Sequence, residues 1–266
     1  MGGEISSFGL SVAASPVVKP SSCSNFSTPF RLTQLTTGGS LPASAVRLND
    51  AKQKLVERVF TLWDGSIQEA CRFSSVPAEF LGALTANESG GDGAAVRFEP
   101  AVYKHLKAVA EGEAARWGGI TARTLAQEVG QELAQAAGEV NADSLRALLL
   151  GGQGSETQGR AEQVVRDLAS SWGLTQIMGF HLIGRRGAVQ DLLDAHFHYH
   201  LTNQLLAEFA DRYQLDLATE FEEMFRCWNT GSPDGRTADP AYVSAGLERM
   251  EIYRSLIGAQ EARKKN

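Results

Sequence analysis

The sequence predicts a mainly α-helical domain with at most a small β element, preceded by a flexible N-terminal tail. Three observations carry that expectation. Leu193, Phe197, Leu201, Leu205, Phe209 and Tyr213 recur every four residues, a helical period that excludes strand alternation through this segment. Pro77 and Pro100 each open a run with apolar residues at helical spacing, where the fixed φ and missing N–H of proline suit a first turn. Residues 1–46 hold only Glu4, Lys19 and Arg31 amid Ser, Thr, Gly and Pro, whereas nearly everything from Arg47 onward has the charge density and periodicity of a folded unit. The chain therefore divides into a tail or linker over 1–46 and one domain over 47–266.

Taken in order, Val46, Leu55, Val59, Phe60, Leu62 and Trp63 fit a first helix. The helix that opens at Pro77 ends at Glu88. Leu81, Leu84 and Glu88 lie three and four residues apart, so the acid is expected to emerge from the apolar side of an amphipathic helix that Gly90 and Gly91 then terminate. Residues 92–99 read as loop or short strand, and a helix follows from Pro100 with Val102, Tyr103, Leu106 and Val109 as its stripe. Ala- and Gln-rich helical segments cover 124–137 and 142–150, and the glycines of 151–155 break the last of them. Beyond the period-four helix, residues 221–228 and 241–257 read as two more. Any β structure is expected near 90–99 or around Ser232-Pro-Asp-Gly235, and no internal repeat occurs at a fixed period.

Composition narrows the function. The chain has 266 residues, 43% of them hydrophobic, which suffices for one sizeable core without requiring two. A net charge of −6 provides no basic footprint for nucleic acid. No apolar run approaches the roughly 18 residues of a membrane span, and Met1-Gly-Gly-Glu4 lacks the basic start and apolar core of a secretion signal. Cys23, Cys71 and Cys227 are odd in number and widely spaced, which excludes a complete disulfide framework and a Cys-x-x-Cys zinc site. One bridge is conceivable, and free thiols are favoured, with Cys71 and Cys227 as small buried residues. On a helix His196 and His200 share a face and His198 turns away, so no metal site is expected there.

Glu88 is the leading candidate for chemistry. A carboxylic acid leaving an apolar helix face is a candidate proton donor, because burial disfavours its ionised form; a solvated helix-end carboxylate is the plainer alternative. Two later segments join it: Ser171-Trp-Gly-Leu-Thr-Gln-Ile-Met-Gly179 and Cys227-Trp-Asn-Thr-Gly231. Glu88-Ser89, then Gly173 to Met178, then Trp228 to Gly231 follow in the order that resembles the lysozyme-like superfamily of goose-type lysozymes, lytic transglycosylases and bacterial N-acetylmuramidases. That family reads Glu-Ser, Gly-Leu-x-Gln-Ile-Met and Tyr-Asn-x-Gly. The Phe98-Glu99 pair and Tyr242-Val243 are similar to family features too, so the resemblance spans roughly residues 70 to 257.

The resemblance implies a lysozyme-like α-helical domain that cleaves the β-1,4 bond between N-acetylmuramic acid and N-acetylglucosamine in peptidoglycan glycan strands, with no cofactor and no metal. Glu88 would protonate the leaving oxygen, and Ser89, Gln176, Met178, Trp228 and Asn229 would bind substrate. Each has a plainer reading: Ser89 as a helix cap, Met178 and Trp228 as core, Asn229 as a C-cap. The glycines after Ser89 either make a turn or leave room for a sugar chain. Trp228 stands where the family has tyrosine, and an indole only donates a hydrogen bond whereas a phenol also accepts. Asp92 and Glu99 are the candidates for a second carboxylate, with pairing to Arg97 or helix capping as the alternative for Glu99. Retaining hydrolases set two carboxylates about 5 Å apart and inverting ones roughly 6.5–9.5 Å apart. The lytic transglycosylases use the muramoyl 6-hydroxyl instead. The acidic balance, Trp228 and the long interval between Glu88 and Gln176 motivate a rival: a catalytically silent wall-binding or phage structural module. An enzyme acting on chitin is a third reading.

Overall fold

The computed structural model describes residues 43–133, 140–151 and 156–265. Of the tail expected over 1–46, residues 1–42 with Cys23 lie outside the described residues, as do the end of the 124–137 segment and the glycine break at 152–155. Within them the protein is mainly α. Helices α1 (Ala43–Cys71), α2 (Ala78–Glu88), α3 (Pro100–Ala110), α4 (Ala122–Leu133), α5 (Ala142–Leu150), α6 (Glu156–Leu168), α7 (Ala195–Tyr213), α8 (Phe221–Thr230) and α9 (Tyr242–Lys265) are joined by short 3-10 turns and five short strands.

The β structure is a three-stranded antiparallel sheet and a separate hairpin. Strand β4 (Ser170–Trp172) is central, with β1 (Val96–Phe98) on one side and β5 (Ile177–Met178) on the other. Register pairs Arg97 with Ser171 and Ser171 with Met178. The hairpin joins β2 (Arg116–Trp117) to β3 (Ile120–Thr121). β1 falls where a strand was expected, while residues 232–235 form a turn. The segment 170–178 is a β-hairpin that the sequence did not announce. Gly173 and Gln176 both adopt positive φ there, at 66° and 56°, which reverses the chain within four residues.

Helix α2 corrects the amphipathic expectation. Ala78 and every residue from Phe80 to Ala86 are buried, so the helix has no polar face. It is a core helix, wrapped by α1, α9, α7 and α8: Phe80 meets Phe221 and Phe225 of α8, and the Thr85 hydroxyl accepts a hydrogen bond from Tyr199 of α7 at 3.2 Å while donating to Leu81 O at 2.8 Å. Burial of Leu81 and Leu84 at 0% exposure stabilises the fold by about 1.5–3 kcal/mol each. A helix hydrophobic on all sides can present a polar group only at an end. Glu88 is that end.

Helices α3 to α6 pack together, α6 against α3, α4 and α5, and the three-stranded sheet adjoins both helical groups. One continuous apolar cluster runs through the molecule. Cys71 and Cys227 are free; Cys227 is fully buried and Cys71 half-buried, and burial pushes both thiols up to about 12. Neither is a reactive thiolate at neutral pH.

Candidate active site

The three separated motifs meet at the turn 173–176. Ser89, just after the acid, donates from Oγ to Leu174 O at 2.7 Å and accepts the Gly91 N–H at 3.2 Å. From the other direction, Trp228 Nε1 donates to Thr175 O at 3.0 Å. Gln176 closes the turn from within: Oε1 accepts Ser171 Oγ at 2.8 Å, and Nε2 donates to Gly173 O at 2.8 Å and Ala95 O at 3.2 Å. Helix α7 adds a fourth anchor, because Thr175 N–H donates to His198 Nε2 at 2.9 Å. Three pieces of chain far apart in sequence thus converge on four residues that Gln176 also braces from within.

That last bond fixes the imidazole. Nε2 must be the acceptor, so Nδ1 carries the proton and donates to Leu192 O at 2.8 Å. Burial, with the ring at 0% exposure, lowers the His198 pKa from 6.5 to about 4, opposed in part by the bond to Leu192. The sign follows from proton binding: below 6.5 the unfolded chain takes up a proton that the folded ring refuses. Stability attributable to His198 is complete above pH 6.5, is lost progressively as pH falls from 6.5 to about 4, and changes no further below that, in total about 3 kcal/mol. Urea denaturation of native protein and His198→Gln at pH 7 and pH 4.5 checks this: the native protein should lose more stability than the variant over that interval. Equal losses would refute it.

Glu88 ends α2, half-buried, and accepts a hydrogen bond from the Tyr242 hydroxyl at 2.5 Å. Burial first, then the Glu88 carboxylate, raise the Tyr242 pKa well above its ordinary value, so the phenol remains a donor. Tyr242 opens α9 and is held by Asn87, whose Nδ2 donates to Tyr242 O at 3.1 Å. The phenol that meets Glu88 therefore comes from α9, while Trp228 of α8 bonds the hairpin. Behind Glu88, Gly90 and Gly91 have φ of 64° and 83° and turn the chain back onto α1. A Cβ at Gly91 would lie 3.1 Å from Val59 Cγ2, and Trp63 Nε1 donates to Gly91 O at 2.9 Å. The glycine side of the turn faces α1, so turning the chain is its role and it leaves no room there for sugar.

Several residues expected to bind substrate are bonded or packed within the protein. Gln176 spends its amide inside the turn, and Ser89 caps α2 through its N–H to Thr85 O at 3.2 Å while tying the acid to the hairpin. Met178 and Trp228 are 3% and 6% exposed and contribute apolar surface. Together with Gln176, His181, Leu205 and Phe209 they line a pocket with room for about one or two water-sized groups. Glu88 is not on its lining. Burial, aided by Arg185 and Arg212, lowers the His181 pKa to about 3, so this pocket holds a neutral imidazole. Asn229 lies half-buried in the last turn of α8, which Gly231 terminates with φ of 82°.

The two further carboxylates differ in setting. Asp92 is exposed and uses Oδ1 to accept Ala94 N–H at 3.0 Å, shaping its loop. Glu99 is buried at the N-cap of α3 and accepts Arg97 Nε at 2.6 Å, the pairing foreseen as its alternative role. His196 and His200 are exposed on α7 and His198 is turned inward, as the helical period requires; His196 meets Glu69 and His200 meets Gln204. No group of three or more His, Cys, Asp or Glu suited to a metal occurs among the described residues, and none of the described helices is long and apolar enough to cross a membrane.

Comparison of the chain with protein-family models, with curated proteins and with solved structures finds no match in any of the three.

Proposed function

We propose that the protein is a peptidoglycan-cleaving glycosidase, acting on the β-1,4 bond between N-acetylmuramic acid and N-acetylglucosamine with Glu88 as the general acid. The observation that carries this reading is the junction of Glu88-Ser89, the 173–178 hairpin and Trp228 on one turn, with a phenol donating to the acid. The motifs resembling the lysozyme-like superfamily are 85 and 53 residues apart along the bonds that join them, so their meeting is a property of the fold and not of local sequence. Glu88 gives its proton to the glycosidic oxygen as the bond to carbon 1 breaks. The Tyr242 hydroxyl then stabilises the carboxylate that remains, a donor aimed at charge that develops during the step. Water, or the muramoyl 6-hydroxyl, adds to carbon 1 and returns a proton to Glu88. Water is the favoured nucleophile, because the Ser171 to Gly179 segment and Phe98-Glu99 are closest to the muramidase branch of the family.

Mass spectrometry of products from purified peptidoglycan tests both points. Reducing-end N-acetylmuramic acid is the expected product; a product lighter by one water would assign the anhydro route. Chitin oligomers should remain uncut. If the native protein sediments with the wall yet leaves every glycan intact, the enzyme reading fails and a silent wall-binding module takes its place.

A further inference from the structure

Arg249 lies in the α2–α9 contact with one of its donors left unpaired among the described residues. It lies seven residues after Tyr242, on the same face of α9 two turns along. Its guanidinium NH1 donates to Asn87 Oδ1, and the same Asn87 donates from Nδ2 to Tyr242 O. Asn87 in turn precedes Glu88, which takes the Tyr242 hydroxyl bond. Three of them close a ring, Glu88 to Asn87 through the backbone, Asn87 to Tyr242 through its amide and Tyr242 back to Glu88 through the phenol, and Arg249 braces it from outside through Asn87 Oδ1.

Two facts separate this arginine from an ordinary surface charge. Its Nε is buried and has no hydrogen-bond partner among the described residues, and burial lowers its pKa against the pull of Tyr242, Glu248 and Asp239. Retaining a partly desolvated charge with an unspent donor costs stability, and apolar packing between two helices would serve a purely structural contact better. Glu248 shares its charge with Lys52 of α1 and relieves Arg249 only through space.

We infer that Arg249 is a positioning residue for Glu88: by gripping Asn87 at the end of α2, it fixes the start of α9 and so holds the Tyr242 phenol on the carboxylate. The inference rests on the glycosidase reading only for the role of Glu88 as acid; the ring itself is a matter of structure. In the reaction Arg249 touches neither substrate nor the moving proton.

The test is proton NMR of the tyrosine hydroxyls in the native protein, with the Tyr242 signal assigned by its loss in Tyr242→Phe. Tyr199 and Tyr253, which bond Thr85 and Asp64, serve as internal references. In Arg249→Met the Tyr242 hydroxyl should exchange with water about tenfold faster, the worth of one such hydrogen bond, while the other two keep their rates. Arg249→Lys should restore part of the protection. Should Arg249→Met not fold, Arg249→Gln removes the guanidinium while leaving a polar side chain there and the direct Asn87–Tyr242 bond in place, and the same selective acceleration is expected. An unchanged Tyr242 rate, or equal acceleration of all three hydroxyls, overturns the inference. Because no step of this measurement needs glycan cleavage, failure of the glycosidase reading would show separately, in intact wall polymer.

Discussion

Glu88→Gln is expected to lower glycan cleavage by about 10²–10⁴-fold, the usual contribution of a positioned general acid. In free energy of activation this is about 3–5 kcal/mol. The substitution removes the transferable proton and the carboxylate charge. Glutamine has the same length, and its Oε1 can still accept the Tyr242 hydroxyl that now meets the carboxylate at 2.5 Å. Thr85 and Ser89, which fix the last turn of α2, keep their bonds to Tyr199 and to Leu174. Thermal unfolding of the variant should therefore stay close to that of the native protein while turnover of purified wall collapses. Comparable cleavage rates for the two proteins would remove Glu88 from the chemistry, and Glu99, buried beside Arg97, would become the acid to examine.

Gly173→Ala carries the largest expected effect on stability, about 2–5 kcal/mol from a left-handed backbone and steric overlap together. Gly173 sits at φ 66°, and a Cβ there would lie 2.5 Å from Leu192 O and 2.8 Å from His198 Nδ1. Those two atoms are bonded to each other at 2.8 Å, so neither can retreat alone. The backbone around it is equally committed, since Gly173 N–H donates to Ala95 O at 2.7 Å and Gly173 O receives Gln176 Nε2. Urea denaturation measures the loss. A change below about 1 kcal/mol would mean that the turn yields easily and that its anchors are weaker than their geometry suggests.

Helix positions were legible in the sequence where periodicity or a start signal was strong. The four-residue spacing through Phe209 gives α7, and Pro77 and Pro100 stand at the beginnings of α2 and α3. The error at α2 has a simple cause: Leu81 and Leu84 define an apolar stripe, but Ala83, Ala86 and Gly82 are small enough to be buried on the remaining sides, and small residues leave no periodic signal. β4 and β5 were missed because runs of three and two residues are too short to show alternation. Glu88 was legible as a helix-end acid. Its partner Tyr242 was visible only as a trailing resemblance, since nothing local reports a bond spanning 154 residues. His198 was correctly turned away from its neighbours by the helical period, yet its bond to Thr175 depends on where α7 docks. Gln176 was read as facing substrate because an amide among apolar residues needs partners; the turn itself provides them.

The span of those anchoring bonds has a consequence for biosynthesis. Ser89 reaches forward 85 residues, Trp228 reaches back 53, and the phenol on Glu88 comes from 154 residues downstream. Loop closure over such separations comes late, and domains emerge from the ribosome N-terminus first. A nascent or clipped polypeptide ending before Trp228 contains the acid and the hairpin but lacks both fasteners. The junction that holds Glu88 is thus assembled last, and on the proposed function incomplete translation products are expected to be inert.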